Sequence, residues 1–546
     1  MIKKVILWLI LLVAGTLESQ GQTYRYFLRF TDKLNSPYSL QQPEAYLSER
    51  SVQRRGRQGI AISENDLPPN PAYLTGITQA GAKVIYKSRW LNGALIEATE
   101  PVKNQLLSLS YVAQIEFNSP LKQVRKAASK DKFSVESTTS LNYGDATAQI
   151  HLLGVDSMHN AGFHGENMLI AILDDGFFQA NQISCLDSAF LNNRIQELYD
   201  FVDNDSTVFG QGGHGTNVMS CMTGYVPDQL ISPAFRSNFV LFRTEDGASE
   251  TRAEEAYWLF AAERADSLGV DIINSSLGYS QFDNPADNYT PADMDGNTTL
   301  VTRAADLAAS KGILVVNSAG NSGNTSWHII TAPADGDSVL AVGAVNRLGE
   351  IANFSSRGPA ADGAVKPDVM AVGYETALCN EYGSLGISYG TSFSSPLTAA
   401  MAAGLWQANP HLQMAEVLYC LRKSGHIFAN PNNNYGYGYA NWVRADSVAK
   451  AEFSIRALQK SNGIEAISIS PSTPALLTLK VDNTLLNKTL RISFTDLSNH
   501  LSLQQDSVNT TTEQIDIPLT FNTLQSNVLL RIENLTDART VVLFRF

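Results

Sequence analysis

Three rhythms of apolar and polar residues divide the chain. Between residues 142 and 446, short apolar runs at 168–173, 239–242, 270–273 (interrupted by Asp271), 313–316 and 339–345 alternate with stretches of helical period at 251–267, 299–310 and 396–408. Runs of that length are the mark of strands buried on both faces. Their alternation with helices predicts an α/β unit, a parallel sheet with helices on both faces. Gly269 and Gly312 follow two of the helical stretches as stops. Pro396 is expected in the first turn of the third, where its missing N–H costs nothing. Ahead of this region, residues 24–30 and 94–98 read as strands and 43–53 and 102–109 as helices, a small α+β unit over 23–120. Behind it, strict alternation sets in: Leu477/Leu479/Val481, Leu490/Ile492/Phe494, Ile515/Ile517/Leu519, Val528/Leu530/Ile532 and Val542/Phe544/Phe546. Period-two patterning broken by Pro, Asn and Thr predicts a small all-β sandwich of about 90 residues.

Composition refines this picture at the ends and joints. Lys3 and Lys4 precede an apolar run over residues 5–14 and then small and polar residues, the pattern of a secretory signal peptide ending near Gly21. The run is too short to span a bilayer comfortably, and no other stretch is long and apolar enough, so no transmembrane segment is expected in the mature protein. Residues 121–140 are polar and basic with almost no apolar pattern, which predicts an exposed, cleavable linker. The expected divisions are therefore 1–21, 22–140, 141–450 and 451–546. A net charge of −13 excludes the basic footprint of a nucleic-acid binder. The charge is uneven, because residues 23–132 hold 16 Lys and Arg against 9 Asp and Glu. A basic early segment followed by an acidic remainder favours docking of one on the other. The four cysteines, Cys185, Cys221, Cys379 and Cys420, form no zinc pattern. One or two disulfides, in three full connectivities, and buried free thiols both fit, with Cys221 lying in an apolar helix pattern.

Candidate chemistry gathers at the ends of the buried runs. Ile172-Leu173-Asp174-Asp175-Gly176 ends a strand in a carboxylate and a turn glycine, and ligands of open α/β sheets sit at the carboxyl ends of strands. Gly213-His214-Gly215-Thr216 leaves an imidazole reachable between glycines, and no second histidine stands at zinc-ligand spacing. Gly390-Thr391-Ser392 puts a serine at a helix mouth, where free N–H groups point at a bound oxyanion. Alone, each is more simply a turn aspartate, a loop histidine or a helix cap. Together they supply a weak nucleophile, the base that activates it and the carboxylate that orients the base. Their order, Asp then His then Ser, is the order found in subtilisin.

In these three stretches the chain resembles the subtilisin-like serine peptidases. Val316-Asn317-Ser318-Ala319-Gly320-Asn321 resembles that family's oxyanion stretch, and Asn274-Ser275-Ser276-Leu277-Gly278 its substrate-pairing strand. The resemblance covers about residues 142–446 and implies a catalytic Asp174, His214 and Ser392, with Asn321 and the Ser392 N–H as the oxyanion hole. It implies substrate contacts at Ser276, Leu277, Gly278, Ser318, Ala319 and Gly320, and protein or peptide substrates bound as an added strand. Asp175 stands where the family usually has Thr or Ser, and the strand and glycine favour Asp174 as the catalytic one. Residues 23–120 sit where the family carries a propeptide that acts as chaperone and inhibitor. The C-terminal sandwich resembles a type IX secretion sorting domain, which would make that machinery a partner and the outer surface or medium the destination. No cofactor or metal is implied for catalysis. Structural calcium, frequent in the family, has no assignable ligands here, with the acidic loop 200–205 as a candidate. The reading is a secreted serine endopeptidase. Its rivals are a catalytically silent surface-binding relative and an esterase or amidase using the same triad.

Overall fold

The computed structural model describes residues 22–120, 141–453, 464–470, 476–496, 501–512, 514–518, 528–535 and 539–545. The expected signal peptide and basic linker lie outside the described residues.

The N-terminal unit is an antiparallel sheet of β1 (Thr23–Phe30), β2 (Lys83–Ser88), β3 (Gly93–Thr99) and β4 (Val112–Pro120) in the order β2-β3-β1-β4. One face buries Tyr26, Leu28, Phe30 and Ile96 under the unit's own helices Pro71–Gln79 and Glu100–Leu106. The other face buries Phe27, Leu95 and Phe117 in a cluster shared with the next unit. The helix expected over 43–53 is a short turn at Pro43–Ala45 and a helix at Glu49–Arg57. Ser48 sets that start, since its hydroxyl accepts the Ser51 N–H at 3.2 Å.

The central unit carries a seven-stranded sheet. Its strands are β5 (Leu169–Asp174), β6 (Ile195–Asp200), β9 (Asn238–Arg243), β10 (Ile272–Ser275), β11 (Leu314–Ser318), β12 (Val339–Val345) and β13 (Val369–Val372), with two small antiparallel pairs besides, β7 (Tyr225–Val226) with β8 (Leu230–Ile231) and β14 (Thr376–Cys379) with β15 (Leu385–Ser388). The order is β13-β12-β11-β10-β5-β9-β6, and every pairing is parallel. Alternate residues of β5 sort to opposite faces. Ile170 and Ile172 pack with the helices Gly213–Thr223 and Thr391–Ala408, whereas Ala171 and Leu173 pack with Arg252–Leu268 and Leu300–Ser310. The predicted layers are therefore present, and the N-terminal sheet covers the second pair of helices.

The expected charge complementarity is realised at that junction. Arg54 and Arg55 reach Asp266 at 2.5 and 2.6 Å, and Arg89 reaches it at 3.2 Å. Asp66 joins Arg55 to Lys311 at 2.9 and 3.2 Å. Glu263 accepts the Ser88 hydroxyl and the Arg89 and Trp90 N–H groups at 2.5, 2.8 and 3.1 Å. These cations cluster near the end of the helix Arg252–Leu268, where the helix dipole favours positive charge.

In the C-terminal unit, β16 (Ile464–Ser470), β17 (Leu476–Val481) and β20 (Gln514–Pro518) form one antiparallel sheet. β18 (Thr489–Asp496), β19 (Leu501–Asn509), β21 (Val528–Asn534) and β22 (Arg539–Arg545) form another. Leu477, Leu479, Val481, Leu490, Ile492, Phe494, Ile517 and Ile532 of the alternating set are buried.

Candidate active site

Strand order places the site. β5 lies beside β10 at the centre of the sheet, so Asp174 at the end of β5 and Ser275-Ser276 at the end of β10 share one crevice at the carboxyl edge. The helix Gly213–Thr223 starts over this edge, and His214 is its second residue. Gly215 makes the approach feasible: a β-carbon there would stand 2.2 Å from the Gly176 carbonyl and 2.9 Å from the Asp174 β-carbon. Across that gap His214 Nδ1 meets Asp174 Oδ1 at 2.7 Å. Asp174 is completely buried, and the imidazole is one-third exposed. Burial opposes a charge on His214, but Asp174 outweighs it and lifts the ring from 6.5 to about 9, with help from Asp175 and Glu381. Asp175 takes a different part. It accepts the Gly215 N–H at 3.1 Å, and burial together with the Asp174 charge pushes its carboxyl up to about 7.

Ser392 is the second residue of the helix Thr391–Ala408, which begins five residues before the predicted 396. Pro396 therefore lies inside the helix rather than in its first turn. The missing proline N–H leaves the Ser392 carbonyl, four residues back, without a helical partner. Ser276 fills the vacancy, its hydroxyl donating to the Ser392 carbonyl at 2.8 Å. The Ser392 hydroxyl in turn donates to the Ser276 carbonyl at 3.4 Å. The Phe393 ring lies 5.8 Å from the His214 ring, keeping helix mouth and imidazole together. The neighbouring serines are engaged elsewhere: Ser394 donates to Thr391 O at 3.0 Å and Ser395 to Asn274 Oδ1 at 2.9 Å, both fully buried.

Asn321 is exposed, and Thr391 fixes its orientation. The Thr391 N–H and hydroxyl both donate to Asn321 Oδ1 at 2.9 Å. With the oxygen held, the amide Nδ2 is the free end, and it lies close to Gly390. Thr391 was not among the residues the sequence pointed to; its position between Gly390 and Ser392 was the available clue. Of the predicted substrate contacts, Gly278 is exposed and Leu277 and Gly320 are half-buried. Ser318 is buried and donates to the Leu277 carbonyl at 3.3 Å, while Ala319 sits wholly inside a small apolar cluster with Ile330 and Ala341.

The candidate calcium loop spends its acids locally. Asp200 and Asp203 pair with Arg243 at 2.7 and 3.0 Å, and Asp200 and Asp205 also cap loop N–H groups. Among the described residues, the ligand atoms of Asp174, Asp175 and His214 do lie within 4.8 Å of one another. A cation there would have to displace the Asp174–His214 hydrogen bond. Cys185 and Cys379 form a disulfide across 194 residues, and among the described residues Cys221 and Cys420 are buried free thiols.

Residues 25–134 match the S8 peptidase propeptide domain of Bacteroidota. Subtilisin E of Bacillus subtilis is 27% identical over 371 residues, covering 67% of this chain and 83% of its own. A thermophilic serine proteinase of Bacillus sp. strain AK1 is 30% identical over 258 residues, 47% of this chain and 57% of its own. Among solved structures, a protease of Pseudoalteromonas arctica aligns with 57% of this chain and 100% of its own, at 22% identity and a TM-score of 0.44. The subtilase family model matches residues 165–438, half of the chain, so the protein belongs to the subtilase family of serine peptidases and carries that family's N-terminal propeptide.

Proposed function

We propose that the chain is the precursor of an exported serine endopeptidase in which Ser392 is the nucleophile, His214 the proton carrier and Asp174 its orienting carboxylate. The observation that carries this is the 2.7 Å hydrogen bond from His214 Nδ1 to a buried Asp174, beside a serine at a helix mouth. It fixes the imidazole so that Nε2 is the nitrogen left to act. In the reaction the Ser392 hydroxyl turns from the Ser276 carbonyl, gives its proton to Nε2 and forms the bond from Oγ to the peptide carbonyl carbon. The oxyanion collects two donors, Asn321 Nδ2 and the Ser392 N–H. Collapse expels the amine, which takes the proton from His214, and water repeats the sequence on the acyl-enzyme.

The Ser276-Leu277-Gly278 segment is proposed as the strand that pairs with substrate, which favours a peptide over a small ester. Export is supported by the Lys3-Lys4 apolar leader and by the Cys185–Cys379 disulfide, a bond that persists in oxidising compartments. Residues 22–140, 141–450 and 451–546 are proposed as prosegment with linker, catalytic domain and a C-terminal sorting module.

A fluorophosphonate probe tests the chemistry. Wild type is expected to be labelled once residues 22–140 are released, and Ser392→Ala is not. Absence of label on released wild type would favour a silent binding relative. Labelling with turnover of esters but of no peptide would favour the esterase reading.

A further inference from the structure

The loop that carries Asn321 is tied down along both limbs. On the near limb the Gly320 N–H donates to the Thr391 hydroxyl at 3.2 Å, and the Ser356 N–H donates to the Gly320 carbonyl at 2.9 Å. On the far limb the Ser322 N–H donates to the Ser356 hydroxyl at 3.0 Å, and the Gly323 N–H to the Phe354 carbonyl at 2.8 Å. Gly323 is buried and wedged, since a β-carbon there would stand 2.0 Å from the Ser355 carbonyl oxygen. Its own carbonyl is met by a side chain. His328 Nδ1 lies 2.6 Å from the Gly323 oxygen, and the His328 N–H donates to the Ser322 carbonyl at 3.1 Å. A carbonyl only accepts, so Nδ1 carries the proton. His328 is held in its turn. The Arg357 N–H donates to its carbonyl at 3.2 Å, and the neighbouring Trp327 indole donates to the Ile330 carbonyl at 3.1 Å.

The backbone at residue 328 does not call for an imidazole. Its φ is 64°, in the left-handed region where glycine and asparagine are the usual occupants. Nor does packing call for one, because His328 is exposed. What the ring adds is one N–H on the Gly323 carbonyl, two residues beyond Asn321. We infer that His328 is a positioning residue for the reaction: by holding the Gly323 carbonyl it fixes the Asn321 amide where the oxyanion forms. The inference rests on the proposed roles of Ser392 and Asn321. Thr391 decides which end of the Asn321 amide is free, but the placing of the whole side chain follows the backbone of residues 320–323. An oxyanion donor acts only at hydrogen-bond distance from where the charge develops, and a misplacement of about 1 Å can cost about 10²-fold in rate. Ser356 and Phe354 hold the loop through N–H groups; His328 holds it through a carbonyl, from the opposite side.

The test measures kcat and KM of the processed enzyme on a quenched peptide. His328→Gly suits the backbone and removes the donor; it should lower kcat about 3- to 30-fold and leave KM unchanged, because the amide meets the oxyanion and not the ground-state carbonyl. His328→Asn suits the backbone too and offers an amide N–H in place of Nδ1, so it should restore kcat to within about twofold of wild type. A residue that acts through Asn321 adds nothing once the amide is gone, so His328→Gly should cost no further kcat in an Asn321→Leu background. A kcat unchanged in His328→Gly overturns the inference, and so does an equal loss in both backgrounds. His328→Asp covers the case of a glycine variant that does not fold: it has the shape of Asn but turns an acceptor toward the carbonyl, and activity equal to that of His328→Asn overturns the inference as well. The parent reading fails separately. Wild type without fluorophosphonate label would remove the nucleophile role of Ser392, whereas a labelled wild type beside an unaffected His328→Gly removes only the role of His328.

Discussion

Asp174 and Asp266 are both fully buried carboxylates of the same unit, and their surroundings are opposites. Asp266 faces three guanidinium groups, from Arg54, Arg55 and Arg89. Burial pushes its carboxyl up, but Arg54, Arg89 and Arg55 together hold it below the usual carboxylate range. Asp174 faces one imidazole and the Asp175 N–H, and its Oδ2 has no partner among the described residues. In the first arrangement both carboxylate oxygens are paired with cations. No member can leave or change protonation without stranding a charge, which suits a junction that must hold a prosegment in place. The second is left open, and its partner ring is one-third exposed, so a proton can come and go. Degree of charge saturation separates positioning from chemistry here, although burial is the same.

The comparison breaks most visibly at Asp174. Asp174→Asn keeps the shape but removes the charge that orients and stabilises the imidazolium, and kcat of the processed enzyme should fall about 10⁴-fold. A fall of less than tenfold would make Asp175 the working carboxylate. The mirror experiment is Asp266→Ala in the full-length Ser392→Ala chain. Removing one partner of a buried cluster strands the others, so the unfolding free energy from denaturant titration should drop by about 3–5 kcal/mol. A neutral result would mean that the junction is held by its apolar face alone, through Phe27, Leu95 and Phe117. A smaller effect is expected at Asn321, where substitution by Leu should cost about 10²- to 10³-fold in kcat with little change in KM, since the amide meets the oxyanion and not the ground-state carbonyl.

How far these two carboxylates were legible in sequence differs as much as their surroundings. Asp174, His214 and Ser392 stand at turns marked by glycines, where strand ends and helix mouths can be read locally, and their order along the chain links them. The layers were legible for the same reason, because buried parallel strands leave short apolar runs. Asp266 was invisible. It lies within a helical stretch rich in charges, and only the tertiary approach of Arg54 and Arg55 from more than 200 residues earlier buries it. Net charge carried the trace of that contact as a basic segment before an acidic one. Pro396 was misread because a proline inside a helix looks like a boundary until the Ser276 hydroxyl is seen to bond the carbonyl it frees. The disulfide was one of several pairings that four cysteines allow.

The smallest effect is the one that most sharpens the contrast, because it follows pH rather than a deletion. His214 is lifted from 6.5 to about 9, burial opposing its charge and Asp174 more than offsetting that. A raised folded-state pKa means that the pair's contribution to stability is fully present below about pH 6.5 and is lost as pH rises through about 9. In inactive full-length protein, urea titration of Ser392→Ala against Ser392→Ala/Asp174→Asn should therefore show a gap at pH 6 that narrows by pH 10. Catalysis runs the other way, since the base must be neutral, and kcat/KM of the wild-type enzyme should climb with pH toward about 9. Asp266 should show neither trend. Its carboxylate stays ionised throughout this range and its partners are guanidinium groups, so the Asp266→Ala penalty should be flat from pH 6 to pH 10. A gap at Asp174 that is equally flat would mean that the imidazole gains nothing from its carboxylate as a cation, and that the two sites differ in geometry alone.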